Sequence, residues 1–389
     1  MIHFNRPYMT GKETEYIRQA VADGKISGNG EFTHRCQAFF EKRYGFRKCL
    51  LTTSCTDALE MAAILTGVGP GDEVIVPSYT FVSSALAFVR QGATIVFADS
   101  RGDEPNLDAS KLESLVTPRT RVIVPVHYAG AACDMDAVME VADRHGLLVV
   151  EDAAQAIDSF YLSSASGAAR RPLGSIGHLA AFSFHETKNI ISGEGGMLVV
   201  NDERFVRRAE IVWEKGTNRA EFFRGEVNKY GWVDVGSSFL PTEIVSAFLW
   251  AQLEHLDEIQ AERKRLWGAY MDFFSEGLAA KHGVGLPHIP EYATNNAHMF
   301  YLLFPNLARR SDFIAKMRAR DVLAVFHYLP LHTSQFYREY AKTHPPSAPA
   351  ASSLPNCDRY ADTLVRLPLY CGLAPDHGRV LDAVRESLS

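Results

Sequence analysis

The chain has few of the features that mark disulfide-bonded, metal-binding or membrane-spanning proteins. Its 389 residues include six cysteines, with no CxxC pair and no His/Cys cluster at zinc spacing: Cys36, Cys49, Cys55, Cys133, Cys357 and Cys371. We therefore expect free thiols, a reducing compartment and no metal site. No apolar run approaches the ~20 residues that a membrane helix needs.

An excess of charge of one sign is also missing. The 40 basic and 46 acidic residues give a net charge of −6. This balance offers no basic surface for nucleic acid or for an anionic membrane, so a phosphate-bearing ligand must be held by a local site. The first residues lack the charged-then-apolar pattern of a signal peptide, and we expect a cytoplasmic protein with no nucleic-acid or membrane partner.

Between about residues 47 and 200, short apolar segments alternate with stretches of helical composition. Strands are predicted over residues 49–51, 74–77, 94–99, 122–126, 147–151, 180–184 and 197–200, and helices over 56–65, 82–89 and 134–145. Continuous apolar strands separated by helices favour an α/β fold, with a mostly parallel sheet covered on both faces. In such sheets ligands bind beyond the carboxyl ends of the strands.

The length of the chain favours two domains rather than one small core. We place a large domain over residues 1–250 and a smaller C-terminal α+β domain over 251–389. A long helix over 241–270 is expected to connect them. Beyond it we predict strands over 299–304 and 322–327, a helix over 311–320 and a loop over 343–355; a surface loop is also predicted over 161–173.

The most informative segment is residues 182–189, Phe-Ser-Phe-His-Glu-Thr-Lys-Asn, which precedes a glycine-rich turn at 193–196. It places Lys188 at the end of an apolar strand, just before flexible backbone. Desolvation in such a pocket lowers the pKa of a lysine and frees its amine for attack on a carbonyl. A solvated surface lysine is the alternative interpretation, and it is the usual state of this residue type.

A second apolar strand, at 147–150, leads into Glu151 and Asp152. A carboxylate that faces a pyridine nitrogen keeps it protonated, and a lysine amine forms a Schiff base, so Lys188 and Asp152 together predict a pyridoxal phosphate site. Gln155 follows one helical turn after Asp152 and is predicted to hydrogen-bond the phenolic oxygen of the cofactor. The alternatives are a helix cap for Asp152 and an ordinary polar helix residue for Gln155.

Hydroxyl-bearing residues follow another predicted strand at 52–57, Thr-Thr-Ser-Cys-Thr-Asp, where a helix begins. The free N–H groups of a helix N-terminus bind phosphate. Ser183 can add a hydroxyl to the same phosphate, and Phe81 can stack on the cofactor ring. A simple helix cap and a core aromatic residue are the corresponding alternatives.

These motifs follow one another in a set order along nearly the whole chain, at residues 27–30, 77–81, 126–130, 151–155, 183–189 and 193–196. In this order they resemble the DegT/DnrJ/EryC1/StrS sugar-nucleotide aminotransferases, which are pyridoxal-phosphate enzymes of fold type I, the aspartate aminotransferase fold. The resemblance implies that Lys188 is the Schiff-base lysine, that Asp152 pairs with the pyridine nitrogen and that Gln155 contacts the ring oxygen. It further implies that Phe81 stacks on the ring and that the phosphate is held by Ser183, Cys55 and Thr56.

Further segments resemble one group within that family, the dTDP-4-amino-4,6-dideoxygalactose transaminases: residues 214–219, 222–225, 249–254, 296–301 and 326–332. This resemblance implies amino transfer from glutamate to the C4 ketone of dTDP-4-keto-6-deoxy-D-glucose, for surface polysaccharide biosynthesis. It makes His327, Tyr328 and His332 candidates for contacts with the sugar. It also implies a homodimer, because fold type I sites are built at a subunit boundary.

One segment departs from the pattern of many family members. They carry Gly-Tyr-Asn-x-Arg where this chain has Gly-Ser-Ser-Phe-Leu at residues 236–240, and their asparagine reaches the phosphate bound to the partner subunit. The shorter Ser238 stands in that place here. We keep Ser238 as a candidate cofactor contact across a dimer.

Three alternative functions remain open at this point. A 3-keto-sugar aminotransferase would use the same residues. A sugar deoxygenase that uses pyridoxamine phosphate would carry His where this chain has Lys188, which argues against it. A non-catalytic binding module on this fold could lose Lys188 or Asp152, and both are present.

Overall fold

The computed structural model describes residues 1–163, 170–275, 277–347 and 354–389. The helices are α1 Glu13–Ala22, α2 Glu31–Tyr44, α3 Cys55–Thr66, α4 Ser83–Val89, α5 Leu112–Leu115, α6 Met135–His145, α7 Glu203–Trp213, α8 Arg219–Phe223, α9 Glu243–Glu254, α10 Leu256–Ser275, α11 Leu278–His282, α12 Leu307–Ala319, α13 Gln335–Thr343, α14 Pro355–Thr363 and α15 Ala374–Leu388. The strands are β1 Lys48–Thr52, β2 Glu73–Pro77, β3 Thr94–Ala98, β4 Thr120–Ile123, β5 Leu148–Asp152, β6 Phe160–Leu162, β7 Arg170–Pro172, β8 Leu179–Ser183, β9 Gly196–Val200, β10 Phe300–Leu303 and β11 Leu364–Leu367. None of the helices in the described ranges is long and apolar enough to cross a membrane.

A seven-stranded sheet forms the centre of the molecule, in the order β1-β9-β8-β5-β4-β2-β3. The pairs from β8 through β5, β4 and β2 to β3 are parallel, whereas β9 runs antiparallel to both β8 and β1. Strands β2, β3, β8 and β9 are buried along their whole length, as the continuous apolar segments predict for a sheet covered on both faces. The predicted α/β fold is confirmed.

Two hydrophobic clusters cover the two faces of this sheet. One contains Phe40 of α2, Val138 of α6 and Leu249 of α9. The other contains Met61 of α3 and Val212 of α7 on the opposite face. The strands therefore have no water-exposed face in their central part, and polar side chains gather at the strand ends.

A third cluster lies around the two-stranded antiparallel sheet of β10 and β11. It joins this sheet to helices α10, α12 and α15, and it includes Ile2 from the start of the chain. Ile2 reaches the cluster because its backbone N–H donates to Asp321 and its carbonyl accepts from Leu323. The predicted division into residues 1–250 and 251–389 stays a prediction.

Two sequence-based predictions of secondary structure are wrong. The helix predicted over 241–270 is two helices, since His255 leaves the helical conformation with φ −111° and ψ 14° and the acidic first turn of α10 follows. The segment predicted as a strand over 322–327 forms only isolated bridges. Val322 pairs with Ile2 and Val325 with Arg366, and because these neighbours differ, neither ladder extends.

The predicted surface loop over 161–173 is partly regular. Its ends, β6 and β7, pair as an antiparallel hairpin, in which Tyr161 faces Arg171. Residues 164–169 of that prediction lie outside the described residues, as do residues 348–353 of the loop predicted over 343–355. The other predicted strands and helices are present, with ends shifted by a few residues.

Candidate active site

A cavity of about 730 Å³ opens beyond the carboxyl ends of the parallel strands. Its lining includes most of the residues singled out from the sequence: Cys55, Thr56, Phe81, Asp152, Gln155, Ser183, Lys188, His327 and Tyr328. Asp152 is the last residue of β5 and Ser183 the last of β8. The topology of the sheet therefore brings together side chains that are far apart in sequence.

Lys188 lies in the connection between β8 and β9. Its backbone N–H donates to the carbonyl of His185 (2.8 Å), which closes a tight turn after the strand. Burial lowers the pKa of the Lys188 amine, and nearby Cys55 and Asp152 oppose that shift. The desolvated environment predicted for this lysine is present, and it favours the neutral, nucleophilic amine.

Asp152 is buried and held in place by two hydrogen bonds. Its Oδ2 accepts from the hydroxyl of Ser84 (2.6 Å), and its Oδ1 accepts from the backbone N–H of Ala154 (3.1 Å). The carboxylate lines the same cavity as Lys188. An acid fixed in this way can hold a basic ring nitrogen while the lysine amine approaches a carbonyl carbon.

The N-terminus of α3 forms one end of the cavity. Ser54 caps the helix, since its Oγ accepts from the backbone N–H of Asp57 (3.1 Å). At position 196, opposite Ser183 on the neighbouring strand, a Cβ atom would overlap the backbone of Ser54 and Cys55, so only glycine allows the approach. With the Thr56 hydroxyl 2.7 Å from Ser83 Oγ, this polar cradle at a helix N-terminus fits a phosphate group.

Gln155 and Tyr328 connect the sheet to the opposite side of the cavity. Gln155 Oε1 accepts from the backbone N–H of Ala129 (2.7 Å), and its Nε2 donates to the hydroxyl of Tyr328 (3.0 Å). The Phe81 ring lies 6.2 Å from that of Tyr328, between centroids, and Phe81 is 55% exposed at the opening. Phe81, Gln155 and Tyr328 thus line one part of the cavity together.

His327 stacks on Tyr328, with ring centroids 3.6 Å apart. Its Nδ1 lies 2.7 Å from the hydroxyl of Tyr128. Burial holds the pKa of His327 well below its usual value, and the positive charge of Arg366 lowers it further. The imidazole is therefore neutral, and it can exchange hydrogen bonds with a sugar hydroxyl.

The structure does not bring two of the predicted residues into this cavity. His332 turns away, with its Nδ1 2.8 Å from the hydroxyl of Ser78 and its Nε2 3.5 Å from Asp358. Ser238 is exposed and lines a separate cavity of about 600 Å³, together with Asn29 and Arg219. The expectation that Ser238 reaches a cofactor across a dimer is not tested by a single chain.

Sequence reasoning missed several residues of the lining. Arg366 is the one charged residue of β11, Leu-Val-Arg-Leu, and a charge inside an apolar strand was the available signal. His298, whose Nδ1 lies 2.8 Å from Asn189 Oδ1, gave no such signal. Neither did Phe4 and Asn5, which reach the opening of the cavity from the N-terminal segment.

Comparison with known proteins agrees with this geometry. The sequence model of the DegT/DnrJ/EryC1/StrS aminotransferase family matches residues 7–385. The chain is 32% identical to the spore coat polysaccharide biosynthesis protein SpsC of Bacillus subtilis, over 98% of this chain and 96% of that protein. It is 36% identical to the GDP-perosamine synthase of Caulobacter vibrioides (83% and 85% of the two chains). It is also 36% identical to a dTDP-3-amino-3,4,6-trideoxy-alpha-D-glucose transaminase of Streptomyces venezuelae (85% and 80%).

Solved structures show the same fold. The crystal structure of S. venezuelae DesV in complex with a ketimine intermediate superposes with a TM-score of 0.84 at 33% identity. The match covers 97% of this chain and 94% of DesV. The cavity beyond the carboxyl ends of the parallel strands thus belongs to a fold that is shared with aminotransferases.

Proposed function

This chain belongs to the DegT/DnrJ/EryC1/StrS aminotransferase family, and from that premise we propose that it aminates C4 of a dTDP-linked sugar. It is a pyridoxal-phosphate-dependent sugar aminotransferase of polysaccharide or sugar biosynthesis. The proposed reaction moves the amino group of glutamate to the C4 ketone of dTDP-4-keto-6-deoxy-D-glucose. The product is dTDP-4-amino-4,6-dideoxy-D-galactose, for a surface polysaccharide.

One observation supports the proposed amino transfer most strongly: a single cavity contains Lys188, Asp152 and the N-terminus of α3. The cradle that requires glycine at position 196 fits the phosphate, and the buried Asp152 fits a protonated ring nitrogen. Pyridoxal phosphate, when bound, supplies an electron sink that acidifies the α-hydrogen of the amino donor.

Each residue of the cavity has a different role in the proposed reaction. Lys188 Nζ, whose pKa is lowered by burial, takes the α-proton as a general base and returns it as a general acid. Asp152 would keep the proton on the ring nitrogen of the bound cofactor, and Gln155 Nε2, which has a second hydrogen besides the one donated to Tyr328, would donate to the ring oxygen. Cys55, Thr56 and Ser183 would hold the phosphate, and Phe81 would cover one face of the ring.

The proposed sugar substrate is inferred from residues 326–332, which lie on the side of the cavity opposite the large sheet. Residues 326–332 resemble the enzymes that aminate C4 of a dTDP-sugar, and His327 and Tyr328 of that segment line the cavity. His332 contributes indirectly, because it anchors the segment to Ser78. Amination at C3 is the second candidate, favoured by the relative that is named as a dTDP-3-amino-sugar transaminase.

We infer a homodimer in which Ser238 approaches the phosphate site of the partner. The segment that leads to Ser238 exposes an unusual number of large apolar side chains: Phe223 67%, Tyr230 50%, Trp232 85%, Val233 55% and Val235 56%. Exposed apolar patches of this kind mark protein contacts. Sedimentation of the purified protein should give a dimer, and Trp232→Asp should shift it towards the monomer.

We place the enzyme in the cytoplasm. All six cysteines are free, and five of them are buried, which suits a compartment that keeps thiols reduced. Fractionation of producing cells, followed by immunodetection, would check this placement.

A panel of nucleotide sugars tests the proposed substrate. The purified protein, loaded with pyridoxal phosphate, is given glutamate and one of four ketones: dTDP-4-keto-6-deoxyglucose, its 3-keto isomer and the GDP- and UDP-linked 4-keto sugars. Product NMR should show an axial C4 amine on the dTDP-sugar as the fastest product. Preferred formation of a 3-amino sugar, or of a GDP-linked product, would replace the proposed substrate while leaving the amino-transfer chemistry intact.

A further inference from the structure

Arg366 is an ionic group inside the cavity that the chemistry proposed above does not use. It lies in the middle of β11, where side chains alternate between the two faces of the strand. Val365 and Leu367 belong to the C-terminal hydrophobic cluster, Arg366 lies between them, and both Arg366 and Leu367 line the cavity. β11 therefore places a cationic side chain in the cavity that also contains Lys188.

The guanidinium has few partners. Its Nη2 donates to the carbonyl of Phe326 (3.2 Å), and its Nε is buried without an acceptor. Within the described residues, no carboxylate forms an ion pair with it. Arg366 is partly buried, and a buried N–H without an acceptor is costly, so a group of this kind is expected where a ligand supplies the missing partner.

The surroundings add no compensating negative charge. Burial lowers the pKa of Arg366, while the hydroxyls of Tyr128, Tyr328 and Tyr79 oppose that shift. Asp152 is engaged by Ser84 and, in the proposed function, by the ring nitrogen. Glu194 is at the rim with 71% of its side chain exposed, 3.7 Å from His185. Among the described residues, the positive charge of Arg366 is therefore unmatched.

The N-terminal segment fixes the plane of the guanidinium. The Phe4 ring lies over Arg366, with the guanidinium carbon 4.4 Å from the ring centroid. Ile2, buried in the C-terminal cluster, and Asn5, whose Nδ2 donates to the Glu186 carbonyl (3.1 Å), hold Phe4 on both sides. A ring against one face leaves the edge of the guanidinium accessible. Nη2 uses one hydrogen on the carbonyl of Phe326, so its second hydrogen and those of Nη1 can form the paired N–H donors that bind oxyanions.

We propose that Arg366 is a substrate-binding residue that receives an oxyanion, positioned for it by Phe4. This proposal rests on the proposed function, in which both substrates are anionic. The oxyanion is a carboxylate of the amino donor or a phosphate oxygen of the sugar nucleotide. Carboxylate and phosphate can each present two oxygen atoms that accept two parallel N–H bonds from a guanidinium.

The test separates the two sources by measuring each half-reaction. Arg366→Met removes the charge and keeps the length, and Arg366→Lys keeps the charge without the fork. Arg310→Met is the matched control: its Nε is also buried without an acceptor, and it also packs on an aromatic ring (Phe326, 5.7 Å), but it lies outside the cavity. Two half-reactions are followed by absorbance: the amination of the cofactor by glutamate, and the transfer of that amino group to the keto sugar, which restores the pyridoxal form.

Binding of unreactive probes supplies a second readout. Glutarate carries two carboxylates and no amine, and thymidine diphosphate carries the phosphates without a sugar. Calorimetry measures their affinities for wild type and for each variant. The melting temperature and the cofactor spectrum of each variant verify that fold and cofactor site are intact.

We expect Arg366→Met to weaken the binding of one substrate, either glutamate with its probe glutarate or the sugar nucleotide with its probe thymidine diphosphate. The KM and the Kd of the probe should each rise by about 10- to 100-fold. Weaker binding of glutamate and glutarate would identify the amino donor as the source of the oxyanion. Weaker binding of the sugar nucleotide and thymidine diphosphate would identify the nucleotide sugar. Arg366→Lys should recover only part of the loss. Unchanged values in both arms, or losses no larger than those of Arg310→Met, would overturn the proposal. A failure of the proposed function would instead appear in wild type, as the absence of any reaction with glutamate.

Discussion

The two sides of the cavity are built differently. The large-sheet side carries Asp152, Ser183 and Cys55 at the ends of regular elements, namely β5, β8 and α3. The opposite side carries His327 and Tyr328 on a segment held by single bridges, with Arg366 beside it on a two-stranded sheet. The groups proposed to bind the cofactor are thus fixed by the fold itself, whereas the groups proposed to face the substrate depend on irregular backbone and tertiary contacts.

This difference explains how relatives can share chemistry and differ in substrate. Proteins about one third identical to this chain carry the names of a GDP-perosamine synthase and a dTDP-3-amino-sugar transaminase. A regular sheet keeps its strand ends in register, while a segment with few backbone bonds accepts substitutions with little cost. Changes on the sheet side should therefore abolish turnover, and changes on the opposite side should alter selectivity.

Lys188→Ala should have the largest effect. It removes the amine proposed to move the α-proton, and turnover should fall by about 10³-fold or more in an assay of 2-oxoglutarate release. Lys264→Ala is the control, since Lys264 is on α10 with 45% of its side chain exposed, near Asp158. If Lys188→Ala kept a normal rate over many cycles, the sheet side would not hold the catalytic amine.

Asp152→Asn should come next, with a loss of about 10²-fold in kcat, because an amide leaves the ring nitrogen without its counter-charge. Asp134→Asn changes the same residue type at the start of α6, where Asp134 Oδ1 accepts from the Ala137 N–H (3.2 Å). That control should lower stability slightly and leave kcat unchanged. Equal effects of the two substitutions would mean that Asp152 serves only as a cap.

On the opposite side, His327→Gln should raise KM for the sugar nucleotide by about 10-fold and change the glutamate half-reaction little. His332→Gln is its partner experiment, because His332 faces Ser78 outside the cavity. This second variant should lower the melting temperature without a selective change in KM. A larger KM effect for His332 than for His327 would reverse the assignment of the substrate-facing residue.

The smallest effect concerns the stability of the cofactor-free protein. Burial lowers the pKa of Lys188 below the 10.5 of the unfolded chain, so between these values the unfolded state binds more protons. Stability must then rise with pH through that window, and the penalty for burying the charge is fully present below it. Lys188→Met should melt a few degrees above wild type at neutral pH. This difference in melting temperature between variant and wild type should disappear as the pH approaches ~10. A difference that grew with pH would contradict the lowered pKa of Lys188.

The sequence predicted the sheet side well because its signals are local. An apolar strand followed by Asp152 or by Lys188 requires only the rule that strand ends meet at one edge. The glycine at position 196 was visible as part of a turn, but its close approach to Ser54 and Cys55 depends on the packing of β9 against α3.

The other side was only partly predictable because its contacts join distant segments. His327 and His332 are five residues apart and looked equivalent, yet one faces Tyr128 in the cavity and the other Ser78 outside it. Phe4 reaches the cavity only because Ile2 is buried in the C-terminal cluster. No periodicity in the sequence encodes such a path of the chain.

The most direct test of the central claim is to locate the amine that holds the cofactor. The purified protein is loaded with pyridoxal phosphate, reduced with borohydride, digested and mapped by mass spectrometry. We expect a phosphopyridoxyl group on Lys188, and none on that peptide when glutamate is added before reduction. A label on another lysine, or no label on an enzyme that is active, would contradict it.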